Sequence, residues 1–324
     1  MVIILILSTY LLHISNLEYV ILGSKDKSIQ NYYLAEGKIY RLLYQDKYYK
    51  NEVLPRIERY LRLGSLGTAY SPEIKLDSED LIGGDNYGKV TMGFSVEEDR
   101  RLMVLDTKSN FQGITRAIRA KVYIIKDIYE MGIPVLYRDS IDEKILEDYL
   151  SYMDDIAKEV KLPTSDANLM GIESIDYDKI YMSRDFLKRN YIEFYRNNIE
   201  DPIVEQFFGK NIFLILKGPS NLFIENKDEE KLVLNGIIYS EGDILLKGDL
   251  EFNGILIINP GLIHISPDSV LDINGIVLSK NYPFASIEDE NRTEIGYDIS
   301  RIKTNGVYIP GFIDIKIKLI KGMV

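Results

Sequence analysis

The histidines and cysteines are the first residues to examine for catalytic or metal chemistry, and they are scarce. The chain has two histidines, His13 in an apolar stretch and His264 between two isoleucines, and no cysteine. Disulfides, thiolate catalysis and thiolate metal sites are therefore excluded, and a serine triad has at most one plausible base. No phosphate-binding loop and no nucleophile elbow occurs. The sequence predicts no catalytic residue, no metal site and no cofactor.

Carboxylates are abundant, with 50 Asp and Glu residues against 39 Lys and Arg. Three acidic groups could bind Ca²⁺ through oxygen ligands: Asp154 with Asp155, Asp176 with Asp178, and Glu288 with Asp289 and Glu290. None has the spacing of a twelve-residue calcium loop, so solvated acidic surface is the favoured interpretation. Another set lies near the glycine repeats described below and could serve a polysaccharide-active enzyme: Asp243, Lys247, Asp249, Glu251 and Asp272.

The overall charge and the aromatic composition limit the partners. A net charge of −11 and a pI near 4.9 argue against nucleic acid, whose phosphates need a basic surface. The 24 tyrosines, 11 phenylalanines and absent tryptophan predict half-buried rings with a polar tip. Such rings can also contact a surface glycan or a protein target, and both stay open as partners.

Glycines recur at regular positions in the part of the chain that carries this second set of charged residues. Asn-Gly pairs at 235–236, 253–254 and 274–275 each precede an apolar triplet, and glycines recur every six residues from 236 to 254. Glycine suits corners because it reaches positive φ without a Cβ clash. Three six-residue faces make an 18-residue turn, and apolar residues repeat in the same register. The sequence therefore predicts a short single-stranded β-solenoid over residues 206–290, with these glycines at its corners: Gly236, Gly242, Gly248, Gly254 and Gly275.

The competing interpretation of the same pairs is a set of β-hairpins. Asn-Gly between alternating apolar residues is the strongest short signal for a two-residue hairpin turn. Hairpins here would have strands of only three or four residues, and they would leave the six-residue spacing unexplained. A solenoid is therefore favoured over a meander or sandwich.

The N-terminus predicts one long helix over residues 1–63, apolar first and amphipathic after. The second half carries a stripe of larger side chains and has no proline before Pro55; the stripe is Ile29, Tyr33, Tyr40, Leu43 and Tyr44. Segment 2–22 is a candidate membrane or filament-core span, although its unbroken apolar run is about half of the roughly 20 residues that a full span needs. Its apolar positions include Val2, Ile3, Ile4, Leu5, Ile6, Leu7, Leu11, Leu12 and Leu17. The alternative is a buried core helix of a soluble protein.

The apolar helix, the string Ser15-Asn16-Leu17-Glu18 and the string at 30–37, Gln-Asn-Tyr-Tyr-Leu-Ala-Glu-Gly, resemble the start of PilX-type minor pilins and related pilus-assembly proteins. Some members of that family also have a glycine-rich solenoid near the C-terminus. The resemblance implies a membrane-anchored, extracytoplasmic subunit whose partners are other pilin subunits and the assembly machinery. It also implies that Tyr33, Ala35 and Glu36 take part in helix packing.

Two family features do not occur in segment 2–12. Family precursors have a short basic leader ending in a peptidase-cut glycine, and a glutamate at the fifth mature position. Either the start lies upstream of Met1, or this chain is a divergent member that is not processed.

The rest of the chain reads as mixed α and β. Residues 64–205 are predicted to form an α+β head. Its predicted strands are Arg101–Thr107 and Ala120–Ile125. One predicted helix runs from Ser140, which caps it, to Lys161, and another runs from Ser183 to Asn198. Residues 281–300 are predicted to form a loop. This loop leads into the predicted C-terminal segment, residues 291–324. A final strand, Ile313–Ile320, has lysines that suit a sheet edge. The predicted fold class is α+β with a long N-terminal helix and a short C-terminal solenoid.

These features together predict a structural protein and no enzyme. The expected function is that of a minor pilin-like subunit of a type IV pilus or pseudopilus at the cell surface, acting in filament assembly or surface contact. The alternative is a cytoskeletal scaffold in which solenoids stack end to end at the membrane. A polysaccharide-active β-helix enzyme is the third interpretation.

Overall fold

The computed structural model describes residues 2–163, 169–175, 177–185, 187–196, 199–226 and 230–323. The chain divides into two compact units. The first unit comprises Met1–Ile124 with Asp314–Val324, and the second comprises Ile125–Ile313. Asp176 and Asn198, named above, lie outside the described residues.

The described helices are α1 (Val2–Tyr44), α2 (Asp46–Tyr48), α3 (Leu54–Leu63), α4 (Glu143–Glu159), α5 (Ile287–Asn291) and α6 (Ile299–Gly306). The predicted N-terminal helix is interrupted at Gln45 and by a π-helical turn, Tyr49–Val53. Pro55 follows this turn and has no backbone N–H to continue the regular ladder. Gly64 then ends α3 in the left-handed conformation, with φ of 75°.

The first unit contains an antiparallel sheet in the order β1-β2-β3-β4-β18. Its strands are β1 (Glu73–Lys75), β2 (Lys89–Glu97), β3 (Arg100–Phe111), β4 (Ile114–Ile125) and, from the end of the chain, β18 (Ile313–Met323). Strands predicted at 101–107 and 120–125 are confirmed within β3 and β4. The predicted final strand is also confirmed, and it lies at the edge of this sheet.

The second unit is built on strands that pair in parallel from one coil to the next. The strands are β5 (Val135–Leu136), β6 (Met170–Ile175), β7 (Lys179–Arg184), β8 (Asn190–Tyr195), β9 (Val204–Phe208), β10 (Asn211–Lys217), β11 (Asn221–Asn226), β12 (Leu232–Ser240), β13 (Ile244–Lys247), β14 (Leu250–Ile258), β15 (Ile263–Ile265), β16 (Leu271–Ser279) and β17 (Thr293–Tyr297). One sheet runs β17-β16-β14-β12-β10-β6, and the other runs β15-β13-β11-β7-β8-β9. In the described residues these sheets form a solenoid-like stack of about four turns.

The register of the stack follows the sequence repeats. Asn235-Gly236 pairs with Asn253-Gly254, which pairs in turn with Asn274-Gly275. Leu234, Phe252 and Ile273 lie together in the core between the two sheets. The triplets after each Asn-Gly are apolar throughout because both faces of this half-strand are buried: α6 packs against β12, β14 and β16 on the outer side.

The stack is longer than the predicted solenoid range of 206–290. Its first coil is formed by β6 and β7, which pair in parallel with β10 and β11. Along the chain, the antiparallel strands β8 and β9 lie between β7 of the first coil and β10 of the second. This insertion removes the short spacing by which the later coils are recognised in the sequence.

Three local predictions are wrong. The described residues of the range 183–198 form the end of β7 and strand β8, not a helix, because Ile192 and Phe194 alternate into the core between the sheets. Residues 281–300 are not a loop, since they contain α5, β17 and the start of α6. The helix predicted over 140–161 is confirmed as α4, but its predicted cap is wrong. Helix α4 begins at Glu143, and Asp142 caps it by accepting a hydrogen bond from the Lys144 N–H at 2.9 Å; Ser140 instead closes a turn with Tyr137.

Gly236, Gly254 and Gly275 lie within continuous nine-residue strands at φ between 127° and 157°, not at strand ends. A Cβ built on Gly254 would lie 1.9 Å from the Gly236 carbonyl oxygen, and one on Gly275 would lie 1.8 Å from the Gly254 oxygen. Gly242 and Gly248 lie at either end of β13, and a Cβ on Gly242 would meet the Ser220 oxygen at 2.0 Å. Glycine is required here by the close approach of neighbouring coils as well as by φ.

We expect Gly254→Ala to destabilise the second unit by about 3 kcal/mol, because it combines a strained φ with a backbone overlap. The measurement is the urea midpoint followed by circular dichroism.

Gly93→Ala is the matched control, since Gly93 lies on β2 with nothing within 4 Å of a built Cβ. It should leave the midpoint unchanged or raise it slightly. Equal midpoints for the two variants would contradict the requirement for glycine at position 254.

Candidate membrane and assembly helix

The N-terminal half of α1 makes little contact with the rest of the described chain. Between Ile3 and Leu22 the large apolar side chains, except the half-buried Ile14, are exposed by 47% (Leu17) to 79% (Tyr19). The most apolar 18-residue window of this helix has a mean hydropathy of 1.4, and none of it is buried. At 1.5 Å per residue, segment 2–22 extends about 30 Å, which matches the hydrocarbon core of a bilayer. This helix is long and apolar enough to span a membrane.

The C-terminal half of α1 packs against β3 of the antiparallel sheet. The buried face is formed by residues with helical spacing: Asn31, Ala35, Lys38, Ile39, Leu42 and Leu43. This face is not the predicted stripe. Of that stripe only Leu43 is buried, whereas Ile29, Tyr33, Tyr40 and Tyr44 are exposed by 44–64%.

Four polar side chains hold the helix on the sheet; we call Asn31, Lys38, Asp85 and Ser109 the helix clamp. Lys38 forms an ion pair with Asp85, and the two side chains are only 5% and 1% exposed. The Lys38 ammonium also donates to the carbonyl oxygen of Lys108 at 2.8 Å. Ser109 donates to the Asn31 side-chain oxygen at 2.6 Å.

The clamp carboxylate also joins the sheet to the loop before β2. Oδ1 of Asp85 accepts hydrogen bonds from the backbone N–H groups of Tyr87 at 3.0 Å and Asn110 at 3.1 Å. Burial lowers the pKa of Lys38 from its ordinary value, and the hydrogen bond and charge of Asp85 oppose that shift. The pair is therefore a buried charge pair in which Asp85 Oδ1 is hydrogen-bonded to backbone N–H groups and Oδ2 faces the Lys38 ammonium.

The sequence interpretation did not identify the clamp. Asn31 and Lys38 are seven residues apart, on the same face as Ala35 and Leu42. Polar residues at these helical positions were the available signal, because a buried polar group needs a partner. Ser109, the partner of Asn31, lies 78 residues away in the chain. A contact over such a separation cannot be predicted from local spacing.

Tyr33, Ala35 and Glu36, singled out for helix packing, do not share one face. Ala35 is fully buried under the sheet, Tyr33 is 64% exposed, and Glu36 is half-buried. The exposed side chains Ile29, Tyr33, Tyr40 and Tyr44 define what we call the open face of α1. The Tyr40 and Tyr44 rings stack on it with centroids 6.0 Å apart.

The carboxylates near the glycine repeats have local partners in the structure. Asp243 accepts a hydrogen bond from the Leu262 N–H and Asp249 from the Val270 N–H, both at 2.9 Å. Lys231 forms ion pairs with Glu251 and Asp272, and Lys247 pairs with Glu225 at 2.9 Å. These contacts join neighbouring coils.

The remaining predicted chemical groups are dispersed. His13 is exposed on α1, and His264 Nε2 lies 3.5 Å from Asp243 Oδ2. Asp154 pairs with Lys280, and the Asp289 carboxylate accepts the Ile265 N–H at 3.0 Å. Within the described ranges no group of three or more His, Cys, Asp or Glu residues is placed to hold a metal ion.

Comparisons of the chain with protein-family models, with curated proteins and with solved structures found no match. Function is therefore inferred from the residues and geometry of this chain.

We expect Lys38→Met to destabilise the first unit by about 3–5 kcal/mol, because it leaves the Asp85 charge buried without its partner. Adding Asp85→Asn should recover part of that loss, since the orphaned charge is then removed. The measurement is the free energy of unfolding in urea.

Lys50→Met is the matched control, because Lys50 pairs with Asp46 at 2.6 Å with both side chains more than 60% exposed. Its effect should stay below about 0.5 kcal/mol. A Lys38→Met effect as small as the control's would show that the clamp contributes little.

Proposed function

We propose that this chain is a membrane-anchored, minor pilin-like subunit of a type IV pilus or pseudopilus that acts in filament assembly or surface contact. The observation that carries the proposal is the division of α1 into an exposed apolar half and a half clamped to an antiparallel sheet. An anchor that ends in a folded head can stay in the membrane before assembly and pack among other helices afterwards. The resemblance of residues 15–18 and 30–37 to PilX-type minor pilins is in keeping with this division.

The open face of α1 supports a packing role for the helix beyond the apolar segment. Ile29, Tyr33 and Tyr40 lie within about 20° of one line along the helix, at spacings of four and seven residues. The sheet covers other positions of α1, so these side chains stay available to a neighbouring subunit. Contiguous exposed apolar side chains commonly mark protein contacts.

The C-terminal end of the stack bears on the scaffold alternative. Strands β17 and β5 both pair with β16. Helix α5 lies next to β15, and its Asp289 side chain accepts a hydrogen bond from the Ile265 N–H. An end closed in this way is a poor surface for stacking another solenoid, because its backbone groups are already paired. This closure favours a subunit whose filament contacts are made by the helix.

We expect Leu12→Arg to weaken binding of the full chain to phospholipid vesicles roughly 100-fold, because a charge near the middle of a span costs about 3 kcal/mol. Co-flotation with vesicles measures the bound fraction. Ile29→Arg, at an exposed position beyond the apolar segment, should change binding little. Equal binding by both variants would reject segment 2–22 as the anchor.

In the cell that makes the chain, we expect it in sheared filaments as well as in the membrane. Tyr33→Ser with Tyr40→Ser should lower its amount in filaments several-fold and leave its amount in the membrane unchanged, since only the open face is altered. Quantitative immunoblotting of both fractions measures this effect. Ile287→Ser, at a 70% exposed position on α5, is the control.

The pilus proposal fails if the unaltered chain is absent from filaments and its loss leaves their number unchanged. Unbranched filaments formed by the purified full chain alone, seen by electron microscopy, would instead support the scaffold.

A further inference from the structure

A groove of about 440 Å³ lies beside the first coils of the stack. It is formed where β7, β8 and β9 meet the starts of β10 and β12. Its volume lies within the range of about 300–1,000 Å³ typical of small-molecule sites. None of the contacts described for α1 involves it.

The groove is basic although the chain is strongly acidic. Among the described residues it is lined by four cationic side chains and no carboxylate: Arg184, Lys188, Arg189 and Lys210. The chain as a whole has a net charge of −11. A concentration of one sign of charge in a concave surface focuses the field there and attracts ligands of the opposite sign.

Two carboxylates pair with the cations of the lining. Glu230 pairs with Lys188 at 2.6 Å and with Arg184 at 3.3 Å, and Asp185 pairs with Arg189 at 2.7 Å. The hydrogen bond from Lys188 lowers the pKa of Glu230, and the backbone N–H and guanidinium of Arg189 lower that of Asp185. Both carboxylates therefore stay ionised and form ion pairs with these cationic side chains.

This arrangement leaves hydrogen-bond donors for a ligand. The Asp185 contacts of Arg189 engage its Nε and one terminal nitrogen, so other N–H groups of its five-donor fork remain. Lys188 donates one described bond, to Glu230, and an ammonium has three donors. Lys210 is exposed and has no ion pair with the residues that the structure describes.

An aromatic ring and an amide share the groove with these donors. The Phe207 ring is 46% exposed, and the Arg189 guanidinium lies over it at 4.4 Å from the ring centre. Asn190 adds an amide that can both donate and accept hydrogen bonds. A ring that offers apolar area beside donors for carboxylates and hydroxyls fits a sugar acid better than a bare phosphate chain.

We propose that this groove binds a carboxylated oligosaccharide, with Arg189 and Lys210 contacting the carboxylates and Phe207 contacting a sugar ring. The site lies in the second unit and does not depend on the membrane anchor. It would give the chain a defined target class, an acidic polysaccharide on a surface that it meets.

The test uses the full chain in detergent and measures binding of oligogalacturonate by calorimetry. A maltooligosaccharide of matched length, inorganic polyphosphate and single-stranded DNA are the comparison ligands. We expect oligogalacturonate to bind most tightly and to weaken as salt is raised, because ions screen the contacts. Binding of the neutral sugar with equal affinity, or tighter binding of polyphosphate or DNA, would overturn the proposal.

Lys210→Glu should weaken oligogalacturonate binding by at least about tenfold, since it reverses a charge that meets the ligand. Arg189→Gln should weaken it as well. Lys50→Glu makes the same change of net charge as Lys210→Glu on a helical turn of the other unit, and it should change affinity less than about twofold. Urea midpoints check that each variant is folded. If the folded Lys210 variant binds as well as the Lys50 variant, the groove is not the site.

Discussion

Backbone pairing between successive coils is the constraint on which the second unit depends. Parallel strands in a sheet lie about 4.8 Å apart, so every coil must repeat the path of the one beneath it. At Gly236, Gly254 and Gly275 that path brings a carbonyl oxygen to within 2 Å of where a Cβ would be. The Asn-Gly repeat is the sequence consequence of this spacing, and the apolar residues on either side of it follow from the burial of the strands that it allows.

In the first unit, one helix combines an exposed apolar half with a half that packs on the sheet. Its apolar half needs no polar partners from the protein, because its backbone hydrogen bonds are internal to the helix. Its second half is held by a few buried polar contacts, with Lys38 and Asp85 at their centre. Replacing one member of such a pair lowers the stability of the fold more than replacing both members, since the partner's charge is otherwise left without compensation.

The charged side chains of the stack fall into two sets, those that join coils and those that line the basic groove. Asp243, Asp249, Glu251 and Asp272 bond to neighbouring coils, and these contacts account for the carboxylates that the repeats carry. The basic groove differs, because four cationic side chains and no carboxylate line it among the residues that the structure describes. Cations held in place and facing an open cavity retain donors for a ligand, whereas paired charges on a flat surface retain few.

Several elements could be predicted from the sequence because their signals are local. The apolar segment, the strands within β3 and β4, the final edge strand and the register of Asn-Gly pairs each follow from residues near one another in the chain. Predictions were wrong where a local pattern was ambiguous. Residues 183–198 have helical-looking spacing, yet β8 pairs with β7 because Ile192 and Phe194 are needed in the core.

The long apolar helix and the repeating β structure of glycine-marked coils could both be predicted from the residues alone. Three features became visible only in the folded chain: which face of α1 is buried, that the first coil begins at β6, and that four basic residues share one groove. The physical reason is the range of the interactions. Helical period and glycine conformation act between neighbours, whereas Asn31 meets Ser109 and Arg184 meets Glu230 only after distant segments have packed.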